Sequence, residues 1–295
     1  KNDEGKVIKL EVEKAKPKND EGNVVKLEVD KVQPKVFEEK SKEEKPLILT
    51  NEITEDNINS KNNTKHVLLG DMLELGKQHK VPVGALVGAK HHAVKQAEAG
   101  VDILIVAGTE AGGHCGDIAT MVLVPEVVRA VRKISDIPVL AAGGIVTGEQ
   151  MAAAMAMGAA GAWCGSVWLT SPEAETNQVV KEKMLKASSR DTVRAKSRTG
   201  KPSRQLKSPW TEAWENNKKI DPLPMPLQSL VAEPALLKFD KLADSGHQGA
   251  TELATYWVAQ GVGLMTQTMS SGAIVQEFKV DFANAYERLL TLMEG

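Results

Sequence analysis

The sequence predicts an α/β protein built from tandem strand–helix units, and three observations predict it. Short apolar runs recur along the middle of the chain, at 81–88, 101–108, 137–145 and 159–169. Stretches of helical periodicity separate them, and the turns between are short and rich in glycine. Strand–helix alternation of this kind gives parallel β/α units with right-handed crossovers. Strands that are apolar throughout imply cover on both faces of the sheet.

The elements follow in order. HVLLGDMLELGKQH (66–79) reads as a helix and VPVGALVG (81–88) as a strand. AKHHAVKQAEAG (89–100) has helical periodicity and stops at a glycine, a common helix end. VDILIVAG (101–108) is a second strand, followed by a glycine-rich loop and a helix through VPEVVRAVRKI (124–134). IPVLAAGGI (137–145) is a third strand, TGEQMAAAMAMG (147–158) a helix, and AAGAWCGSVWL (159–169) a fourth strand. Four such units fit half of an eight-stranded barrel, and they equally fit a small open sheet. Beyond them, 171–295 reads as a helical or lid-like appendage, with helices expected at 173–187, 247–268 and 278–293 and a proline-rich loop at 222–228.

The first 66 residues differ in character. KNDEGKVIKLEVEKAKP (1–17) is followed at once by KNDEGNVVKLEVDKVQP (18–34), an imperfect repeat with strand-like alternation in each copy. Residues 38–66 are rich in Lys, Glu and Asn. So little apolar surface cannot offset chain entropy, so the arm is expected to be disordered or to form weak hairpins.

Composition excludes several classes. A net charge of −2 gives no long-range attraction to nucleic acid or anionic lipid. No apolar run reaches the ~18 residues of a membrane span. The first residues are charged and lack the apolar core of a secretory signal. Cys115 and Cys164 have neither metal-site nor redox-motif spacing, which suits a reducing compartment. A soluble cytoplasmic protein is the expectation, with no membrane and no nucleic-acid partner. No metal site is expected either: His91 and His92 are adjacent on a helix, about 100° apart, and cannot readily grip one ion.

Three loops follow strand C-terminal ends, where sites sit in barrels and open α/β sheets. GTEAGGHCG (108–116) holds four glycines and His114, a side chain that titrates near neutral pH and suits acid–base work. Gly143 and Gly144 stand where the third strand turns into a helix, and bare amides at such a turn can seat a phosphate. Gly165 and Ser166 stand at the end of the fourth strand, a second turn of the same kind. RTGKPSRQLK (198–207) carries four cations and reads either as a solvated loop or as a lid over an anionic ligand. The pairs Trp163/Trp168 and Trp210/Trp214 read as packing rather than ligand stacking.

Taken in order, GTEAGGHCGDIATMVLVPEVV, PVLAAGGI, GSVWLT, SRTGKPSRQL and PLPMPLQ resemble the nitronate monooxygenase family, with similarity running from about 67 to 295. The resemblance implies a TIM-barrel core with FMN at its C-terminal face, and oxidation of alkyl nitronates by dioxygen to nitrite and a carbonyl product. It implies His114 as the catalytic base. It also implies Gly112 and Gly113 beside the flavin, and the phosphate held by Gly143, Gly144, Gly165 and Ser166.

The family's first four strands have no counterpart before residue 67, so the TIM-barrel-type units here match the last four of eight. A half barrel leaves two strand edges and an inner face uncovered, which favours homo-oligomers and impaired cofactor binding. Two alternatives follow: an FMN- and NAD(P)H-dependent enoyl reductase of the related group, and a non-catalytic half barrel acting in binding or assembly.

Overall fold

The structure is a computed structural model of the chain, and it describes residues 69–216 and 221–294. The repeat arm lies outside the described residues.

Four parallel strands form the central sheet: β1 (Gly84–Val87), β2 (Ile103–Ala107), β4 (Val139–Ala142) and β5 (Gly161–Trp163). They lie side by side in chain order. A doubly wound sheet reverses its strand order at a switch point; this one has no reversal and is singly wound, as successive units of a barrel are. The helices α2 (Lys90–Ala99), α3 (Thr120–Val131) and α4 (Gly148–Ala156) return the chain between strands. α1 (Leu69–His79) precedes the sheet.

Strand parity divides the sheet into two faces. Leu104, Val106, Val139 and Ala141 point into the main core with Leu123, Val124, Val127 and Val131 of α3. Ile105, Ala107 and Ala142 point the other way and, with Ala111, form a much smaller cluster. On that second face the outer strands carry large apolar side chains in the open: Leu86 is 62% and Trp163 57% exposed. Among the described residues, β1 and β5 each have a strand on one side only.

The turns explain why the elements end where they do. Gly100 closes α2 in the left-handed conformation (φ 89°), its amide bonding to the carbonyls of Ala97 and Gln96. Thr147 and Gln150 make a reciprocal capping box that starts α4. Gln150 also accepts from the Val146 amide at 2.8 Å and donates to the Gly144 carbonyl at 3.0 Å, bracing the turn after β4.

The fourth strand is shorter than the apolar run 159–169 suggests. β5 ends at Trp163, opposite Ala142, the last residue of β4. With no neighbour to bond, the chain continues as a 3-10 turn, Ser166–Thr170.

The expectation of a helical appendage also needs correction. A three-stranded antiparallel sheet, β3 (Gly113–His114), β7 (Ser203–Leu206) and β6 (Thr192–Ala195), stands within and beside it. Ser203, Arg204 and Gln205 read as loop residues because they are polar, yet all are buried. The expected helix 247–268 is broken: α8 covers only Gln248–Leu253, and Trp257 then pairs in extended conformation with Gln205. α5 (Gln178–Lys186), α6 (Pro209–Asn216), α7 (Leu227–Asp244) and α9 (Ser271–Glu294) complete the described chain. None of the described helices is long and apolar enough to cross a membrane.

Candidate active site

The glycine-rich loop after β2 is held at several points. The Gly108 amide bonds to the Ala142 carbonyl at 3.1 Å, and the Thr109 amide to the Ile118 carbonyl at 2.8 Å. The Glu110 carboxylate accepts from the amide and hydroxyl of Thr120 at 2.9 and 2.8 Å, which places a negative charge at the start of α3. The Glu110 carbonyl accepts from the Gln260 amide at 2.9 Å. Gly112 is required by a close approach: a Cβ there would lie 2.8 Å from the carbonyl carbon of Val258 and 2.9 Å from the amide of Ala259. Gly113 and His114 then pair with Arg204 and Ser203 of β7.

Arg204 locks this loop from below. It is buried, and its Nε and Nη2 both donate to the Thr109 carbonyl, at 3.0 and 2.8 Å. Its Nη1 donates to the Thr192 hydroxyl at 2.9 Å.

The ends of β1, β2, β4 and β5 open onto one cleft. His114, Gly112, Gly143, Gly144, Gly165 and Ser166 all line it. Gly113 does not, although it adjoins two residues that do. Three loops far apart in sequence therefore converge, because each leaves the same edge of the sheet. Gly143 and Gly144 have φ of 117° and 70°, values only glycine adopts readily, which turns the backbone back over the strand end. The amides of Gly144, Ile145, Gly165 and Ser166 have no hydrogen-bond acceptor among the described residues. Uncommitted donors on residues that line one cleft are the kind of group that can receive an anion. Ser166 Oγ accepts from the Ala259 amide at 2.8 Å, so the hydroxyl fixes the 258–259 segment and keeps its own proton to donate.

His114 is exposed on the cleft side, with Nε2 2.7 Å from Thr199 Oγ1. Partial burial, and then the nearby Lys201 cation, lower its pKa below the ordinary 6.5. A neutral imidazole at pH 7 follows. Cys115 and Cys164 have their thiols pushed up by burial, Cys164 to about 11, so both stay protonated at neutral pH.

Two features of this site escape a reading of the sequence. Trp163 is not a packing residue: strand parity turns it onto the open face, where it lines the cleft. Trp257 lies with its ring centroid 6.4 Å from that of His114. Arg198 stands over the Trp257 ring at 4.3 Å and is held by Glu233 through bonds of 2.8 and 3.1 Å. Of the four cations at 198–207, Arg198 and Arg204 are therefore committed to internal contacts, while Lys201 and Lys207 are exposed. His91 and His92 are exposed on α2, away from the cleft lining. Trp210 and Trp214 do pack edge to face, at 5.7 Å.

Residues 61–281 match the family model described as nitronate monooxygenase. The Mycobacterium tuberculosis protein Rv1533, named provisionally as a monooxygenase, is 50% identical over 224 residues, which are 76% of this chain and 59% of that protein. Among solved structures, a nitroalkane oxidase from Streptomyces ansochromogenes aligns with a TM-score of 0.65 at 25% identity, over 75% of this chain and 62% of that one. FabK from Thermotoga maritima aligns with a TM-score of 0.58 at 31% identity, over 75% of this chain and 74% of that one. The chain thus spans about three-fifths of the length of its curated relative Rv1533. A family match over that span, joined by half-identity to Rv1533, makes the chain a member of the nitronate monooxygenase family.

Proposed function

We propose that this chain carries the FMN phosphate seat and the catalytic base of an enzyme that oxidises alkyl nitronates with dioxygen. One observation carries the reading: a single imidazole and two glycine turns, after β2, β4 and β5 respectively, face one cleft. The four parallel strands are taken as the last four of an eight-stranded barrel. The open side chains of Leu86 and Trp163 then belong to the barrel's inner face.

The residues present fit FMN. The uncommitted amides of Gly144, Ile145, Gly165 and Ser166 suit a phosphate, and the Ser166 hydroxyl has a proton to add. Gly112, held against the Val258–Ala259 backbone, lines the cleft beside His114. When bound, the flavin supplies the electron chemistry with dioxygen. His114 supplies the proton chemistry: it takes the α-proton of a neutral nitroalkane and leaves the nitronate. Trp163 and Leu86 give the cleft an apolar wall.

Gly165 offers a test of the seat. Its φ of −114° is open to any residue, and a Cβ there meets nothing within 4 Å. Gly165→Val is therefore expected to fold normally while filling the cleft. FMN affinity should fall by about tenfold or more, ~1.4 kcal/mol, by flavin fluorescence titration. Unchanged affinity would remove Gly165 from the seat.

The lowered His114 pKa predicts a pH profile. With a neutral nitroalkane, kcat/KM should rise along an acid limb centred below 6.5. The same shift bears on stability. Unfolded His114 takes its proton near 6.5 and folded His114 at lower pH, so the folded chain binds fewer protons between the two values. This contribution is complete above 6.5 and is lost as pH falls through the folded pKa. An acid limb at or above 6.5 would count against the assignment.

The activity itself is tested by mixing the FMN-loaded chain with a preformed alkyl nitronate and following oxygen uptake and nitrite. Stoichiometric nitrite is the expected result. Rapid bleaching of the flavin by NADH, with no nitrite from nitronate, would favour the enoyl-reductase alternative. A chain that stays colourless after incubation with FMN would favour the non-catalytic one.

A further inference from the structure

The hydroxyl of Thr199 has three neighbours and one proton. It is 2.7 Å from His114 Nε2, it donates to the Lys201 carbonyl at 3.2 Å, and it accepts from the Lys201 amide at 3.4 Å. Thr199 is only 5% exposed, so water does not readily replace these partners. The Lys201 carbonyl can only accept, and the Lys201 amide can only donate. The hydroxyl proton has two candidate acceptors, this carbonyl and an unprotonated Nε2; placed on the carbonyl, it leaves the oxygen lone pairs for the amide and for an Nε2–H.

From this allocation we infer that Thr199 is a positioning residue that fixes neutral His114 as its Nε2–H tautomer and leaves Nδ1 as the atom that accepts the substrate proton. The inference rests on the reading of His114 as the base. No described residue hydrogen-bonds to Nδ1. In the step, the Cα–H bond of the nitroalkane breaks and an N–H bond forms at Nδ1. The electron pair stays on the substrate as the nitronate. The imidazolium so formed keeps its Nε2–H bond to Thr199, so nothing need reorganise as charge develops. The tautomer of a histidine is set by the bond its other nitrogen makes, and here that bond comes from the tight turn at 199–201. β7, which follows at Ser203, also pairs with His114, so one short segment aligns both the backbone and the ring of His114.

Two variants and one spectrum test this. In the full chain labelled with ¹⁵N-histidine, the His114 nitrogen shifts should report the Nε2–H tautomer at pH 7.5. Thr199→Val should mix the tautomers, while Thr199→Ser should restore the wild-type pattern. Turnover of a neutral nitroalkane should fall about tenfold or more in Thr199→Val, a part of the ~10²–10⁴ a positioned base supplies. Turnover of the preformed nitronate and FMN affinity should change little. A wild-type Nδ1–H tautomer, or full nitroalkane turnover in Thr199→Val, would overturn the inference. The spectrum needs no activity, so it decides the role of Thr199 even if His114 proves not to be the base. Failure of His114 itself would appear instead as nitroalkane turnover that survives its own replacement.

Discussion

Replacing His114 by asparagine is expected to lower turnover of neutral nitroalkanes by about 10²–10⁴, the usual worth of a positioned base. Asparagine keeps a polar side chain of similar reach but cannot take the proton. Flavin binding should survive, because the proposed phosphate contacts come from Gly144, Ile145, Gly165 and Ser166. Turnover of a preformed nitronate, which has already lost its α-proton, should fall much less. Steady-state oxygen uptake with both substrates makes the comparison, and equal losses on both would remove His114 from the base role.

The second large effect is expected at Arg204. Its guanidinium makes three bonds from a buried position, two of them to the carbonyl of Thr109 in the loop that carries His114. Arg204→Met keeps much of the volume but leaves that carbonyl with only the Cys115 thiol at 3.4 Å and the Thr192 hydroxyl with only the Ser189 carbonyl at 3.5 Å. Hydrogen bonds to a charged group are worth about 1.5–3 kcal/mol each and do not simply add. A loss of about 3 kcal/mol is expected, read as a fall in Tm of roughly 2–4 °C per kcal/mol for a domain of this size. Arg204→Lys should rescue little, since an ammonium cannot reproduce the fork. An unchanged Tm in Arg204→Met would show that the loop does not depend on this clamp.

What the sequence conveys, and what it does not, follows from the range of the interactions. β2 and α3 are marked by local pattern, the apolar run VDILIVAG and the VPEVV stretch; β2 lies within its run, while α3 overlaps the expected 124–134 but spans Thr120–Val131, and Leu104, Val106, Val124 and Val127 are fully buried. The turns are legible for the same reason, since Gly143 and Gly144 announce a backbone that other residues resist. The apolar run overstates β5 because the strand's end is set by β4, a neighbour in space rather than in sequence. β6 and β7 go unread because Ser203, Arg204 and Gln205 look solvated until their partners are known. Gln205 gives its amide to Ser197 at 2.9 Å, and Arg204 reaches back to Thr109, 95 residues earlier. Trp257 is hidden for a like reason: nothing in its local sequence points to the ring of His114.

The distribution of buried polar groups explains why the second sheet belongs to the site. Ser203, Arg204 and Gln205 are costly to bury unless bonded, and their partners include the histidine loop and the Ser197–Arg198 turn. Arg198 in turn fixes Trp257 from above. The antiparallel sheet is thus a frame that orients one imidazole relative to the strand ends.

Equilibrium binding of FMN and of riboflavin to the same chain, followed by fluorescence quenching, probes the anion seat most directly. If free amides beyond β4 and β5 hold a phosphate, FMN should bind at least about tenfold more tightly than its dephosphorylated counterpart, ~1.4 kcal/mol or more. Equal affinities, or no saturable binding of either, would contradict the account.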